Sequence, residues 1–430
     1  MAELASKSKL DWSRVSKILF FVFTACLLQG STFSHVTSFF NKYALEEKDL
    51  SSTQYGIVMG AYAFAVMTMT PLCAAVLRTR KFSDKAILFT GLTVDSCFCL
   101  IMSSVCLIGG GILFFLASLI LRLCAACGCA IGFFMAYVII GVETPEINHI
   151  IIPLLETCYG VAVVIGPAIS GILYDIGGFP VPFLVIGGSL LTLAIVGIFA
   201  FPSSLPRNDE DGDENEMKLS SAWQFPIVVN VLCSLNTFAL ISFNEATLAL
   251  RLYNKFGMTA GESGAVFLFV GGFYALSGLA SGFMSKKVSE PRYFTALGQF
   301  TLVVAMILQA PLLNFEQTTT HVYIAQIMLG LGSGPAYVCS YLQSLRYLGD
   351  GKETKETYAV LSAIFTPVTA LGGTIGPLVG GILLDFFSYE QVVLVYTTLS
   401  ALSFITLVIT IRLTQKSKPR SSATAVAAIT

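Results

Sequence analysis

The chain has 430 residues, 25 Lys+Arg against 26 Asp+Glu for a net charge of -1, and 55% hydrophobic positions at a mean hydropathy of +0.77. Charged side chains make up only 12% of it, about half the share of an ordinary soluble domain, so a water-facing surface cannot be built and a soluble enzyme is excluded. No basic excess exists to neutralise phosphates, which excludes nucleic-acid binding.

In chain order, apolar runs between charged or turn-rich breaks predict twelve spanning helices of about 20 residues or more. They lie near 15–38, 54–76, 87–107, 112–137, 151–174, 180–202, 224–250, 263–284, 293–312, 321–345, 357–384 and 389–412. The first follows Lys7, Lys9, Arg14 and Lys17 and lacks a small-residue cleavage pattern, so it is expected to stay in the mature protein. Twenty Lys and Arg fall on the side of the two termini, against only Lys42, Lys48, Arg251 and Lys255 opposite. That imbalance predicts that both termini are cytosolic.

Residues 165–175, IGPAISGILYD, return as 375–385, IGPLVGGILLD, at an offset of 385 minus 175, or 210. Gly166, Pro167, Gly171 and Asp175 thus match Gly376, Pro377, Gly381 and Asp385 in spans five and eleven. The predicted architecture is an all-α membrane protein of two pseudo-symmetric six-helix bundles, 1–202 and 223–413. An acidic linker, 203–222, joins them, and a cytosolic tail, 414–430, follows. Such a parallel repeat with a site near the midplane is the arrangement of a secondary transporter.

Gly166-Pro167 with Gly171 looks like the antiporter motif of the major facilitator superfamily. The strings LETCYGVAVVIGPAISGILYDIGGFPVPF (155–183), FNEATLALRLYNKFGMTAGESGAVFL in span seven and beyond, and TIGPLVGGILLD in span eleven are similar to the vesicular amine transporter family within it. The loops LRTRKFSDK and SGFMSKKVSE keep the basic residues of the superfamily's loop motif but lack its Gly-x-Leu-x-Asp frame. The resemblance implies proton-coupled antiport of an organic cation, a polyamine such as spermine or spermidine or a related amine, by alternating access. It also implies a vesicle or other acidic-organelle membrane, the plasma membrane being the alternative. A facilitator or symporter of another small metabolite or drug on the same fold remains the rival reading. The expected partners are a small cationic substrate, protons and the bilayer, with no cofactor, no metal and a functional monomer.

Ionisable residues are expensive inside a bilayer and must face protein or water. Glu245 in span seven shares an arc of about 100° with Asn230, Ser234, Thr237 and Asn244. This polar stripe reads as cavity lining or as interhelical hydrogen bonds. Glu156 in span five shares its face with Tyr159, Gly160 and Pro167, and its repeat counterpart is Thr366, an asymmetry that argues against a purely packing role. A salt bridge to a terminal-side Arg or Lys is the alternative.

Arg122 in LILRLCAACGCA resembles the superfamily's Arg-x-x-x-Gly-type motif associated with proton coupling. It cannot itself shuttle a proton but lowers a neighbouring carboxylate's affinity for one; a structural ion pair with Asp95 or Glu156 is the alternative. Asp95 in span three reads as structural. His35, grouped with Thr24, Ser31, Ser34 and Ser38, suits proton coupling or a hydrogen-bonded core. Span ten sets Gln326, Gly330, Gly334, Tyr337 and Tyr341 in one stripe, two phenol rings for an ammonium or for packing. Substrate binding is therefore expected at Glu245, Glu156, Tyr337, Tyr341, Asn244 and Gln326. Proton coupling is expected at Glu156, Glu245, Arg122 and His35, and hinge packing at Gly166, Pro167, Gly171, Gly376, Pro377 and Gly381. Cys124, Cys127 and Cys129 lie within a span and read as small apolar packing residues rather than metal ligands.

Overall fold

The computed structural model describes residues 12–78, 82–144, 146–202, 223–285, 287–288, 290–310, 316–349 and 355–416. The acidic linker 203–222 and the tail beyond 416 lie outside the described residues. Twelve long helices account for nearly all of them: α1 Trp12–Ser34, α2 Ser52–Arg78, α3 Asp84–Met102, α4 Ile112–Glu143, α5 Asn148–Gly177 and α6 Pro180–Ala200 come first. Then follow α7 Phe225–Phe256, α8 Ala260–Ser285, α9 Arg292–Gln309, α10 Thr319–Leu348, α11 Lys355–Leu384 and α12 Tyr389–Lys416. Among the described residues, eleven of these are long and apolar enough to cross a membrane. The twelfth, α9, runs for only 18 residues.

Local chemistry sets the ends. Ser83 caps α3 by accepting from the Ala86 N–H at 3.2 Å, and Thr318 with His321 forms a capping box on α10. The chain leaves α5 at Gly178, φ 72°, and α7 at Gly257, φ 67°, in left-handed conformations that a side chain would strain. α1 stops at Ser34 without such a signal: a 3-10 turn, His35–Ser38, and a π turn, Tyr43–Glu47, follow. Phe39 and Phe40 drop from that stretch into an aromatic cluster with Phe114, Phe179 and Phe183.

Lipid supplies no hydrophobic drive between helices, so close contact depends on small residues. α3 crosses α4 where Gly91 and Gly128 press backbone on backbone, and α9 crosses α10 in the same way at Gly298 and Gly332. A methyl at any of these four would strike the opposite main chain. Two compact units result. One gathers Met1–Glu214, Ile241–Gly272 and Gly373–Ser388; the other gathers Asn215–Leu240, Phe273–Gly372 and Tyr389–Thr430. α7, α8 and α11 are thus each divided, and the ends of these helices farthest from the chain termini pack with the first six helices.

Candidate transport site and gate

The repeated Gly-Pro segments pack closely against other helices. The Pro167 carbonyl lies against Gly264 of α8, and the Pro377 carbonyl against Gly56 of α2; Gly171 faces the Ala260 carbonyl, and Gly381 that of Ser52. A Cβ at Gly56, Gly171, Gly264 or Gly381 would collide with that main chain. Gly166 packs against Ser34 and Ser31 at the end of α1.

One turn further on, Asp175 accepts from the backbone N–H groups of Ala260, 3.2 Å, and Gly261, 2.8 Å, at the start of α8. Asp385 accepts from those of Ser52, 2.7 Å, and Thr53, 3.0 Å, at the start of α2. Each helix start also closes its own capping box. The Ser51 N–H donates to the Gln54 side chain at 3.1 Å and the Gln54 N–H to the Ser51 hydroxyl at 3.2 Å. Thr259 and Glu262 do the same at 2.9 and 3.2 Å. Four consecutive N–H groups that a helix leaves unbonded are therefore satisfied, two locally and two by a carboxylate from the other repeat. Gly264 minus Gly56, Ala260 minus Ser52 and Glu262 minus Gln54 all equal 208, so the helix starts whose N–H groups donate recur at a fixed offset, as the accepting aspartates do. Burial pushes the Asp385 carboxyl up, but its hydrogen bonds with Thr53 and Ser52 outweigh that and hold it below the usual carboxylate range. Beside this clamp the Asn41 amide donates to the Ala246 carbonyl, and the Lys42 ammonium sits 3.6 Å from the centre of the Tyr253 ring.

Among the acids, two near the terminal ends of the helices are paired. Glu143 accepts two hydrogen bonds from Arg14, at 3.0 and 2.7 Å, and Glu290 two from Arg292, both at 2.7 Å. Glu245, half-buried in α7, makes no hydrogen bond or ion pair with the described residues, and Tyr55 of α2 lies in its electrostatic reach. Glu156 in α5 is exposed, with Tyr137, Tyr159 and Cys26 in reach of its charge, and forms no ion pair with the described residues.

The polar stripe of α7 divides. Asn230 donates to the Ser344 hydroxyl of α10 at 3.0 Å, and Thr237 accepts from Gln299 of α9 at 3.1 Å, so these residues join helices. Asn244 is buried. Gln326 is also buried, its amide donating to the Gln309 side chain at 2.8 Å between α10 and α9. Tyr337 and Tyr341 flank Phe365, at 6.4 and 5.2 Å between ring centres; Tyr337 stands edge-on to Phe238 at 5.1 Å, and the Tyr341 hydroxyl meets that of Ser362 at 2.9 Å.

Arg122 and His35 come together at the break in α1. Arg122 donates to the Thr32 and Phe33 carbonyls at 3.3 and 3.4 Å, capping the last turn of a helix that ends two residues later. Its guanidinium lies 4.4 Å from the centre of the Tyr62 ring. His35 Nδ1 is 2.9 Å from the same Thr32 carbonyl, and Asp95 accepts from the Thr32 hydroxyl at 3.1 Å. Asp95 and Arg122 form no ion pair.

The family model of the Major Facilitator Superfamily matches residues 18–366 and, in a second overlapping match, 232–429. The chain belongs to that superfamily and is a multi-pass membrane transporter, not an enzyme. It is similar to the MFS-type transporter SLC18B1 of Mus musculus, 24% identical over 364 residues spanning 84% of this chain and 78% of that one. Its likeness to the Homo sapiens protein of that name is 23% over 386 residues, 88% and 83% of the two chains. A Bacillus subtilis protein, Multidrug resistance protein 1, is 25% identical over 225 residues, 52% of this chain and 54% of its own. In fold it resembles a bacterial homolog to the human lysosomal transporter Spinster in an inward-facing, occupied conformation. The TM-score is 0.73 at 12% identity, covering 93% of this chain and 97% of that one. For the nucleoside transporter NupG the TM-score is 0.69 at 10% identity, covering 91% and 98%.

Proposed function

We propose that this transporter exchanges protons for an organic cation, a polyamine or related amine, by alternating access, with both termini cytosolic and the opposite face toward an acidic lumen. The observation that carries the reading is Glu245. An ionised carboxylate in the membrane without a partner is costly, and paired acids elsewhere in the chain show what a purely structural carboxylate looks like. Glu245 is stable in two ways, protonated or holding a cation, and the two exclude each other. That competition is the coupling: a proton arriving from the acidic side displaces the amine, and the amine displaces the proton on the other. Glu156 provides a second carboxylate for a substrate whose charges are spaced along its length. The likeness to SLC18B1 supports the amine class.

The Asp175 and Asp385 clamp is the closed gate of the lumenal side, and the glycines beneath it are the surfaces that slide apart when it opens. Purified protein in liposomes with an imposed pH gradient tests the reading. Radiolabelled spermidine is expected to accumulate and to leak out when the gradient is collapsed; uptake indifferent to the gradient overturns antiport. Accumulation of a drug in place of spermidine would move the substrate class toward the drugs in the name of the Bacillus relative, Multidrug resistance protein 1.

A further inference from the structure

Four buried polar atoms have no hydrogen-bond partner among the described residues: Asp95 Oδ1, His35 Nε2, Arg122 Nε and the Tyr62 hydroxyl. Their side chains come from α3, the turn after α1, α4 and α2. Asp95, His35, Arg122 and Tyr62 are each at most 4% exposed. Leaving such a group unsatisfied costs about 1–3 kcal/mol, and native proteins rarely gather several. Thr32, His35, Asp95 and Arg122 line a cavity of about 10 Å³, room for roughly one water molecule.

The bonds that are made fix what the free atoms can do. A carbonyl only accepts, so His35 Nδ1 carries the hydrogen toward Thr32 and Nε2 keeps its lone pair. Asp95 spends one oxygen on Thr32 and keeps the other. Arg122 spends its two terminal nitrogens on the end of α1. We propose that Asp95 and His35, held beside Arg122 around one water, form a proton-carrying site within the first six helices, distinct from Glu156 and Glu245.

The proton arrives through that water and adds to Asp95 Oδ1, turning the carboxylate into a neutral acid that donates back to the water; His35 Nε2 is the alternate seat. With Asp95 ionised, His35 neutral and Arg122 charged, the cluster is neutral, and one added proton makes it +1. The other titratable groups facing Asp95 are Tyr62 of α2, Cys99 of its own helix, Cys129 of α4 and Tyr159 of α5. None of them is a cation, so Arg122 sets the charge against which the proton must bind. Tyr55 lies in the electrostatic reach of both Arg122 and Glu245. On the antiport reading, this proton is one that is exchanged for the amine.

The role in transport rests on the antiport reading; the protonation itself does not. Infrared difference spectra of the purified full chain, taken between mildly alkaline and mildly acidic buffer, should show a protonated-carboxyl band that Asp95→Asn removes. His35→Gln leaves the carboxyl in place and should shift the frequency of that band. In liposomes, Asp95→Asn should retain spermidine-for-spermidine exchange while losing at least tenfold of its gradient-driven accumulation. A band unchanged in Asp95→Asn and unshifted in His35→Gln, or undiminished uphill transport by Asp95→Asn, overturns the proposal. If the wild type itself accumulates no spermidine, the antiport reading fails while the infrared result still decides Asp95.

Discussion

Asp385→Asn removes the charge from one half of the clamp and, because the amide nitrogen cannot accept, one of its two hydrogen bonds. A side-chain cap on a helix start is worth about 1 kcal/mol, and a carboxylate near the positive end of the helix dipole adds about 0.3–1 kcal/mol. Asp385 is exposed, so solvent screening takes back part of this. The net loss is about 1 kcal/mol, close to fivefold in the ratio of closed to open gate. Amide hydrogen exchange reads that ratio directly, since the Ser52 and Thr53 N–H groups exchange only when Asp385 lets go. Peptides covering 51–55 should exchange about fivefold faster in the variant. The proposed gate opens both clamps in one movement, so peptides covering 259–263 should accelerate as well, although Asp175 is untouched. Unchanged exchange at both places refutes the clamp; acceleration at 51–55 alone refutes the single movement.

The same contact should be insensitive to an acidic lumen. The Asp385 carboxyl titrates below its ordinary range, so its contribution is complete above about pH 3.9 and fades only as pH falls through the lowered value. Exchange at Ser52, corrected for its intrinsic rate, should stay flat from neutrality to about pH 5. Gly56→Ala and Gly171→Ala drive a methyl into the Pro377 and Ala260 carbonyls and should abolish net transport by preventing closure while leaving the helical circular dichroism intact. Glu245→Gln should lose the pH dependence of spermidine binding, measured by equilibrium dialysis, and at least tenfold in uphill transport. Arg14→Gln removes the two hydrogen bonds that Arg14 donates to Glu143, whose side chain is 4% exposed; a thermal melt should reveal a loss of about 2 kcal/mol.

Helix count and duplication were legible because both rest on patterns that survive without neighbours: apolar length and an eleven-residue string written twice. α9 was the weakest span for the same reason, since Arg292, Gln299 and Gln309 dilute its apolar run. What failed to show was direction. A 100° arc on α7 groups Asn230 with Glu245 but does not say that Asn230 donates to Ser344 while Glu245 makes no hydrogen bond or ion pair with the described residues. Arg122 drew attention as a charge in lipid, yet its office as the cap of α1 depends on a break at His35 that no glycine or proline announces. Glu143 lies past the apolar run, which predicts a span ending near residue 137, although the helix continues to Glu143 itself. Asp175 and Asp385 were visible as repeated letters, but the N–H groups they bind belong to backbone, which a sequence pattern of side chains does not reveal.

In the clamp, each carboxylate belongs to one repeat and each helix start it binds belongs to the other. A lone six-helix ancestor carrying both features could close them only against a second copy of itself, making the same contact twice about a two-fold axis. Joined in one chain, the two contacts need not be identical, and they are not: Ser52-Thr53 offers hydroxyls where Ala260-Gly261 offers none. The two seams of the gate can thus be tuned separately, by changes in either half of the gene, without altering the movement they share.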